Sequence, residues 1–407
     1  MDSPFQMLVS SINYSPFLGR LYVGKIEAGK VSTNQEVAIA NSLGVVNRGR
    51  VSKIYQFQGA QMVETPLAQT GEIVALAGIE EVKVGDTFCD PHEPSALSGV
   101  AIDPPTISMN FVPNDSPFAG TEGKFVTSRH LRERLYKETL SDIALQVEPL
   151  GDGMGFKVSG RGELHLSILI EKMRREDYEF QVTRPQVIFK TINQKLYEPY
   201  EELTIDVEEA YSGAVIENLG KRKGQLLEMS QENGMTKLLY KIPTRGLLGF
   251  RSEFMNETRG MGIMNYVFLE FEEYAGEIKN RKNGTLIANE NCTTVAYALF
   301  NLQERGKLFY GPGIKVYEGQ IIGEHAREND LTVNPAKGKK LTNVRAAGSD
   351  ENVLLTPPVV MSLEKYISYI NDDELLEVTP DSIRLRKKYL TETQRKKLKN
   401  EGNKKAV

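Results

Sequence analysis

Three lysines in four positions, Lys337-Gly338-Lys339-Lys340, are the most chemically directed residues of the chain. Ammonium groups on flexible stems attract phosphate as point charges, and the glycine between them lets backbone approach a ligand closely. His325 and Arg327 precede the run and Arg345 follows it, while Asn329, Asn334 and Asn343 add amides suited to sugars or bases. The stretch 323–352 has little apolar periodicity and is long for a connection inside a compact domain, where such loops are functional or disordered. Local charge alone fits a solvated surface loop equally well.

A second cationic stretch closes the chain. From Ser382 to Val407, Arg384, Arg386, Lys387, Lys388 and six further Lys or Arg face only two acids, Glu392 and Glu401. The 407 residues together carry a formal net charge of -4, so any pull toward nucleic acid has to come from such patches. A frayed basic terminus is as good a reading of this tail as a binding element. Lys221-Arg222-Lys223 forms a smaller third patch, where cations also suit the C-terminal end of a helix.

Other chemistry finds less support. Gly24-x-x-x-x-Gly29-Lys30 imitates a phosphate loop, but Val31 stands where the metal-binding Ser or Thr belongs, and the following residues read as turn and strand. Glu163 and His165, two apart at a helix start, do not share a face, and a zinc protease pair needs histidines four apart. In Cys89-x-x-His92 half a zinc site is visible, with no second pair nearby. Two cysteines far apart exclude a disulfide framework and fit a reducing cytoplasm. No apolar run reaches the roughly 18 residues of a membrane span.

The elements that must position these groups suggest about three domains by length and four modules by pattern. Residues 1–98 alternate short β-branched runs with glycine turns, as in Gly19 to Val23 and Gly71 to Leu76, and predict a small closed β-barrel. Paired prolines at 104 and 105 mark a boundary. Residues 104–192 then read strand, helix from Ser128, two strands, helix from Glu163 carrying Leu164, Ile168, Leu169 and Met173, and strand, which is the ferredoxin-like βαββαβ plan. The same order returns over 195–278, with Ser212 as a helix N-cap, a hairpin around Asn233-Gly234 and a helix from Thr244 to Glu257. Residues 279–407 predict a mixed α/β module with a helix from Thr293 to Glu304, a strand from Asn352 to Leu355 and a last helix capped by Thr391 and Gln394. The fold class is multidomain α+β.

Several motifs resemble one known family. Gly160-Arg-Gly-Glu-Leu-His-Leu166 is similar to the signature of the third domain of translational GTPases of the elongation factor G class. Gly213 to Leu219, Lys221 to Gly224 and Pro243 to Arg251 resemble that class's fifth domain, and the initial barrel its second. Tyr310 to Gly313, Tyr317 to Gly323, Asn329 to Asn334 and Gly338 to Asn343 resemble the C-terminal domain of the BipA/TypA family. The resemblance implies a ribosome-binding protein that contacts large-subunit rRNA and A-site tRNA, acting in stress-related translation and in large-subunit assembly. It implies also that GTP and Mg bind a preceding GTPase domain, so this chain is expected to hold no cofactor, to lack GTPase activity, and to be a cytoplasmic monomer. On that reading Lys337, Lys339, Lys340 and Arg345 meet RNA phosphates. A protein-interaction scaffold that binds acidic partners, and a small-molecule enzyme on a ribosomal-factor fold, are the rival classes; neither has a motif behind it.

Overall fold

The computed structural model describes residues 3–15, 18–41, 44–59, 61–80, 82–98, 104–142, 144–151, 153–278, 281–338 and 354–397. The chain divides into two compact units, residues 1–104 with 132–147 and residues 105–131 with 148–407.

In the first unit, eight antiparallel strands lie in the order Gly44–Arg50, Glu36–Asn41, Thr87–Cys89, Gln6–Ser15, Gly19–Ala28, Ile73–Ala77, Lys53–Gln58, Gln61–Thr65. Alternating residues of these strands, among them Met7, Val9, Tyr22, Ile26, Ile39, Ile54, Leu76 and Phe88, form one core, and Tyr22 meets Phe88 edge to face at 5.6 Å. The closed barrel expected from the sequence is not formed: the end strands Gly44–Arg50 and Gln61–Thr65 do not pair with each other among the described residues. Both are largely exposed, with Arg48, Arg50 and Glu64 on them, and charged side chains keep such edges solvated rather than paired. Each glycine of the apparent phosphate loop is explained by close packing. A Cβ on Gly24 would lie 2.1 Å from Leu8 O, and one on Gly29, where φ is +71°, 2.6 Å from Ser3 O.

Residues 105–182 follow the expected chain order: strand Ile107–Pro113, helix Ser128–Thr139, strands Gln146–Pro149 and Phe156–Gly160, helix Glu163–Arg175 and strand Phe180–Val182. The helix Glu163–Arg175 buries Leu166, Leu169, Ile170 and Met173, an i, i+3, i+4, i+7 stripe. Leu164 and Ile168, two of the apolar residues the sequence offered for this helix, are exposed because they fall on the helix face opposite that stripe. Phe156–Gly160, Ile107–Pro113 and Phe180–Val182 pair in that order. The sheet then continues into Glu374–Val378 and Ile383–Lys387, nearly two hundred residues later in the chain. The final hairpin therefore completes a sheet begun by residues 107–113.

A five-stranded sheet places Lys195–Glu208 between Met235–Pro243 and Ile263–Glu273, with Gln225–Glu232 beyond Met235–Pro243 and the short strand Lys190–Ile192 paired to the start of Lys195–Glu208. Asn233 and Gly234, at φ +52° and +79°, turn the hairpin, the geometry a type I′ turn requires. Two helical expectations shift here. Ser212 lies inside the helix Glu209–Lys221 and bonds back to Glu209 O at 2.8 Å rather than capping it. The helix expected over 244–257 is two pieces, Thr244–Leu247 and Phe250–Glu257, broken where Gly249 takes φ +71°.

The C-terminal sheet orders Gly306–Leu308, Ile321–His325, Thr285–Ala288 and Leu331–Val333, the last pair parallel, over a core of Leu286, Leu299, Leu308, Val316, Ile322 and Val333. Its helix runs Ala296–Leu302, shorter than expected, because Thr293 pairs with Lys315 in a ladder and Thr294 Oγ1 ties Gly311 and Ile314. Leu354 and Leu355 are not in a strand, and Asn352 and Val353 lie outside the described residues. The expected capping box is present: Gln394 N–H donates to Thr391 Oγ1 and Thr391 N–H to Gln394 Oε1.

Candidate nucleic-acid interface

Whether a cation can meet an external phosphate depends on its exposure and on the anions it already holds. Strand Ile383–Lys387 pairs in register with Glu374–Val378, setting Arg384 opposite Glu377, Arg386 opposite Leu375 and Lys387 opposite Glu374. Its outer side is bridged by Gln320 at Arg386, so both sides of the strand are covered. Arg384 bonds Glu122 and Glu377, Arg386 bonds Asp115 at 2.7 Å, and Lys387 lies 2.7–2.9 Å from Asp330, Asp373 and Glu374. All three are buried. The expectation that they meet RNA is corrected: desolvated cations enclosed by carboxylates are structural groups. Lys388, next in sequence, is exposed.

The lysine run is described only at its start. Lys337 is exposed; Lys339, Lys340, Asn343 and Arg345 lie outside the described residues. Asn334 fixes the approach, donating to Glu290 Oε1 at 2.5 Å and accepting from Ala336 N–H at 2.9 Å. Pro335 O accepts the Val295 N–H at 2.9 Å. Among the preceding candidates, Arg327 and Asn329 are exposed, but His325 is corrected to a buried strand residue whose Nδ1 lies 2.5 Å from Asn329 O. In the third patch Lys221 and Lys223 are exposed, with Lys221 paired to Glu217. Arg222 is corrected to a structural role: it bonds Glu253 at 2.8 Å and the carbonyls of Gly246 and Leu248, and lies over the Phe250 ring.

Sequence reasoning missed a cavity of about 410 Å³ in the second unit, lined by Glu163, Arg184, Arg222, Arg245, Arg281 and Lys365 among others. The four arginines come from segments far apart in sequence, so no local pattern marks them. Each already holds a carboxylate: Arg184 with Asp372, Arg222 with Glu253, Arg245 with Glu198 and Arg281 with Glu374. The cavity is thus a cross-braced junction. Glu163 accepts the Gly249 N–H at 3.1 Å within it. Burial pushes its carboxyl up to about 7, against that hydrogen bond and with help from nearby Glu364.

A raised carboxyl means that the fold favours the protonated form. The group's full contribution is present below its ordinary value of 4.5 and is lost as pH rises through about 7. Glu163→Gln is therefore expected to gain stability at pH 8, by about 3 kcal/mol at most, since the side chain keeps some water, and to gain less than about 1 kcal/mol at pH 5, which lies between the two values. Thermal melts at both values check this; an equal change at both would remove the ionisation argument.

Cys89 is buried in the strand Thr87–Cys89, and its Sγ donates to Ala38 O at 3.6 Å. Among the described residues, no group of three or more His, Cys, Asp or Glu is placed to hold a metal ion, and no helix is long and apolar enough to cross a membrane.

Three family models match along the chain. The elongation factor Tu domain 2 model matches residues 19–89 and the elongation factor G C-terminus model residues 195–282, which with the sheet-rich α+β architecture defines the class as translation-factor-like. The TypA/BipA C-terminal domain model matches residues 283–392. The large ribosomal subunit assembly factor BipA of Escherichia coli (strain K12) is 51% identical over 399 residues, covering 98% of this chain and 66% of its own length. Its counterparts in Salmonella typhimurium (strain LT2) and Haemophilus influenzae (strain Rd) are 50% and 51% identical, with 67% and 65% of their lengths covered. The chain belongs to the TypA/BipA family. It spans about two thirds of the length of these curated relatives.

Proposed function

We propose that this chain is the ribosome-binding portion of a TypA/BipA-type translation factor that acts in large-subunit assembly and in stress-related translation, and that it contacts rRNA and A-site tRNA through its C-terminal module. The names of its relatives supply the ribosome. The observation that carries the RNA contact is the placement of Lys337, exposed and held two residues beyond an anchored backbone bond, at the start of a run of lysines. Phosphate is the ligand such a run suits. Arg327, Asn329, Asn334 and Lys388 border the same module, with Lys339, Lys340, Asn343 and Arg345 following in sequence; Lys221 and Lys223 are secondary contacts. The modules at 104–192 and 195–278 act as ferredoxin-like spacers. GTP and Mg are assigned to the part of the relatives that this chain does not match, so the chain itself works as a cytoplasmic binding body and a monomer.

Co-sedimentation with purified large ribosomal subunits across a salt series tests this, beside a Lys337→Glu, Lys339→Glu, Lys340→Glu variant. Binding is expected to weaken with salt, and the variant to lose most of its affinity, with the logarithmic salt slope reduced by about 2–3 for three lost phosphate contacts. Its thermal transition is expected to stay in place. Unchanged affinity in the variant, or association that survives ribonuclease, would overturn the RNA reading; the latter would favour a scaffold for acidic proteins.

A further inference from the structure

The helix Ala296–Leu302 turns aromatic rings outward. Tyr297 and Phe300, three residues apart on one face, are 37% and 39% exposed, while Ala298 and Leu299 are buried. Val295 just before the helix is exposed, and so is Ile314, whose carbonyl accepts the Thr294 N–H at 2.9 Å. Single exposed apolar residues are ordinary. Four gathered around one seven-residue helix form a patch of the kind that marks an interaction site.

The patch is bordered by cations that the backbone holds in place. The Val295 N–H donates to Pro335 O, so Lys337 emerges beside the first turn of the helix. Lys315 faces Thr293 across the short ladder that enters the helix, and is exposed. At the other end Gln303 donates to Leu354 O at 3.2 Å and accepts the Thr356 N–H at 3.0 Å. The described residues on either side of the lysine-bearing segment are thus tied to the two ends of one helix, about 10 Å long at 1.5 Å per residue. Glu304, past Phe300, closes the patch with an acid.

We propose that the Tyr297–Phe300 face, with Lys337 and Lys315 beside it, is a stacking platform for unpaired RNA nucleotides, the rings taking bases and the ammonium groups taking phosphates. Aromatic faces interleaved with cations are the combination by which proteins hold single strands. Bases paired inside an A-form duplex offer no free face to a ring. The inference rests on the RNA-binding reading above and adds to it the form of the RNA and the residues that select it.

Fluorescence anisotropy with a labelled RNA of about 12 nucleotides, a length within the range of single-strand sites, and with a blunt duplex of the same length tests it. The complete chain is compared with a Tyr297→Leu, Phe300→Leu variant, which keeps apolar cover and removes the flat faces, and with Lys337→Glu. The unmodified chain is expected to prefer the single strand. In the leucine variant single-strand affinity is expected to fall about ten- to a hundredfold, with duplex affinity and salt slope unchanged, whereas Lys337→Glu weakens both RNAs and flattens the slope. Salt-sensitive, Lys337-dependent binding that the leucine variant retains in full would overturn the platform and leave the RNA reading standing. Binding of neither RNA by the unmodified chain would overturn both.

Discussion

Lys387→Ala is expected to destabilise the second unit by roughly 3–5 kcal/mol, the usual loss when one member of a buried ion pair is removed. The Lys387 side chain is only 2% exposed, and its Nζ lies 2.7 Å from Asp330 and 2.9 Å from both Asp373 and Glu374. Burial disfavours its charge, but the three carboxylates outweigh that and hold its pKa above the ordinary lysine value. Glu374 is wholly buried; burial would raise its carboxyl, yet Lys387 and Arg281 hold it below the ordinary value of 4.5. Without Lys387, Glu374 keeps Arg281 at 2.8 Å, and Asp373 and Asp330 reach water, which places the loss toward the lower end of the range.

With two compact units in one chain, a single melting curve mixes transitions. The local readout is hydrogen exchange of the Glu374–Val378 and Ile383–Lys387 amides, expected to accelerate in the variant, beside a fall of about 6–12 °C in the transition of this unit. The pH dependence has a defined sign. A depressed carboxyl stabilises above its ordinary value and loses that contribution as pH falls through its folded one, so the deficit of the variant should shrink in acid. If instead the variant kept its stability and lost ribosome affinity, Lys387 would return to the interface.

Glu377→Ala is expected to cost a similar 3–5 kcal/mol, by a different route. Its wholly buried carboxylate accepts hydrogen bonds from Asn114 Nδ2 at 3.0 Å, Ser116 Oγ at 2.9 Å and Tyr317 Oη at 2.6 Å, and from Arg384 at 3.1 Å. Those donors come from three separate parts of the chain, so one carboxylate holds the final hairpin, residues 114–116 and Tyr317 together. Alanine leaves Arg384 with Glu122 alone and strands buried donors, each costing about 1–3 kcal/mol when unsatisfied. Limited proteolysis is expected to release the C-terminal segment from the variant at temperatures where the unmodified chain resists. Equal resistance would mean that pairing of Phe180–Val182 with Glu374–Val378 suffices to dock the hairpin.

Much of the architecture was legible because its signals are local. The helix opening at Glu163, the turn at Asn233-Gly234 and the cap at Thr391 each depend on residues within one or two turns of chain. Boundaries shifted where distant groups intervened: Gly249 breaks a helix while its N–H meets Glu163, and Thr293 stays extended because Lys315 pairs with it. The open first sheet went unread because alternation within strands says which side faces a core and nothing about whether the outermost strands meet.

The candidate interface shows the same division. By its own residues the sequence determined the chain order of strands and helices, the hairpin turns, the family and the presence of cationic segments near the C-terminus. Only the tertiary structure decided which cations are presented. Lys337 stays exposed, whereas Arg384, Arg386 and Lys387 are consumed by Asp115, Glu122, Asp330, Asp373, Glu374 and Glu377. Three of those carboxylates stand more than fifty residues away, outside any local window of sequence. Charge is a property of composition, but the free energy of a charge depends on its solvent and its partners, and those are fixed only when the chain closes on itself.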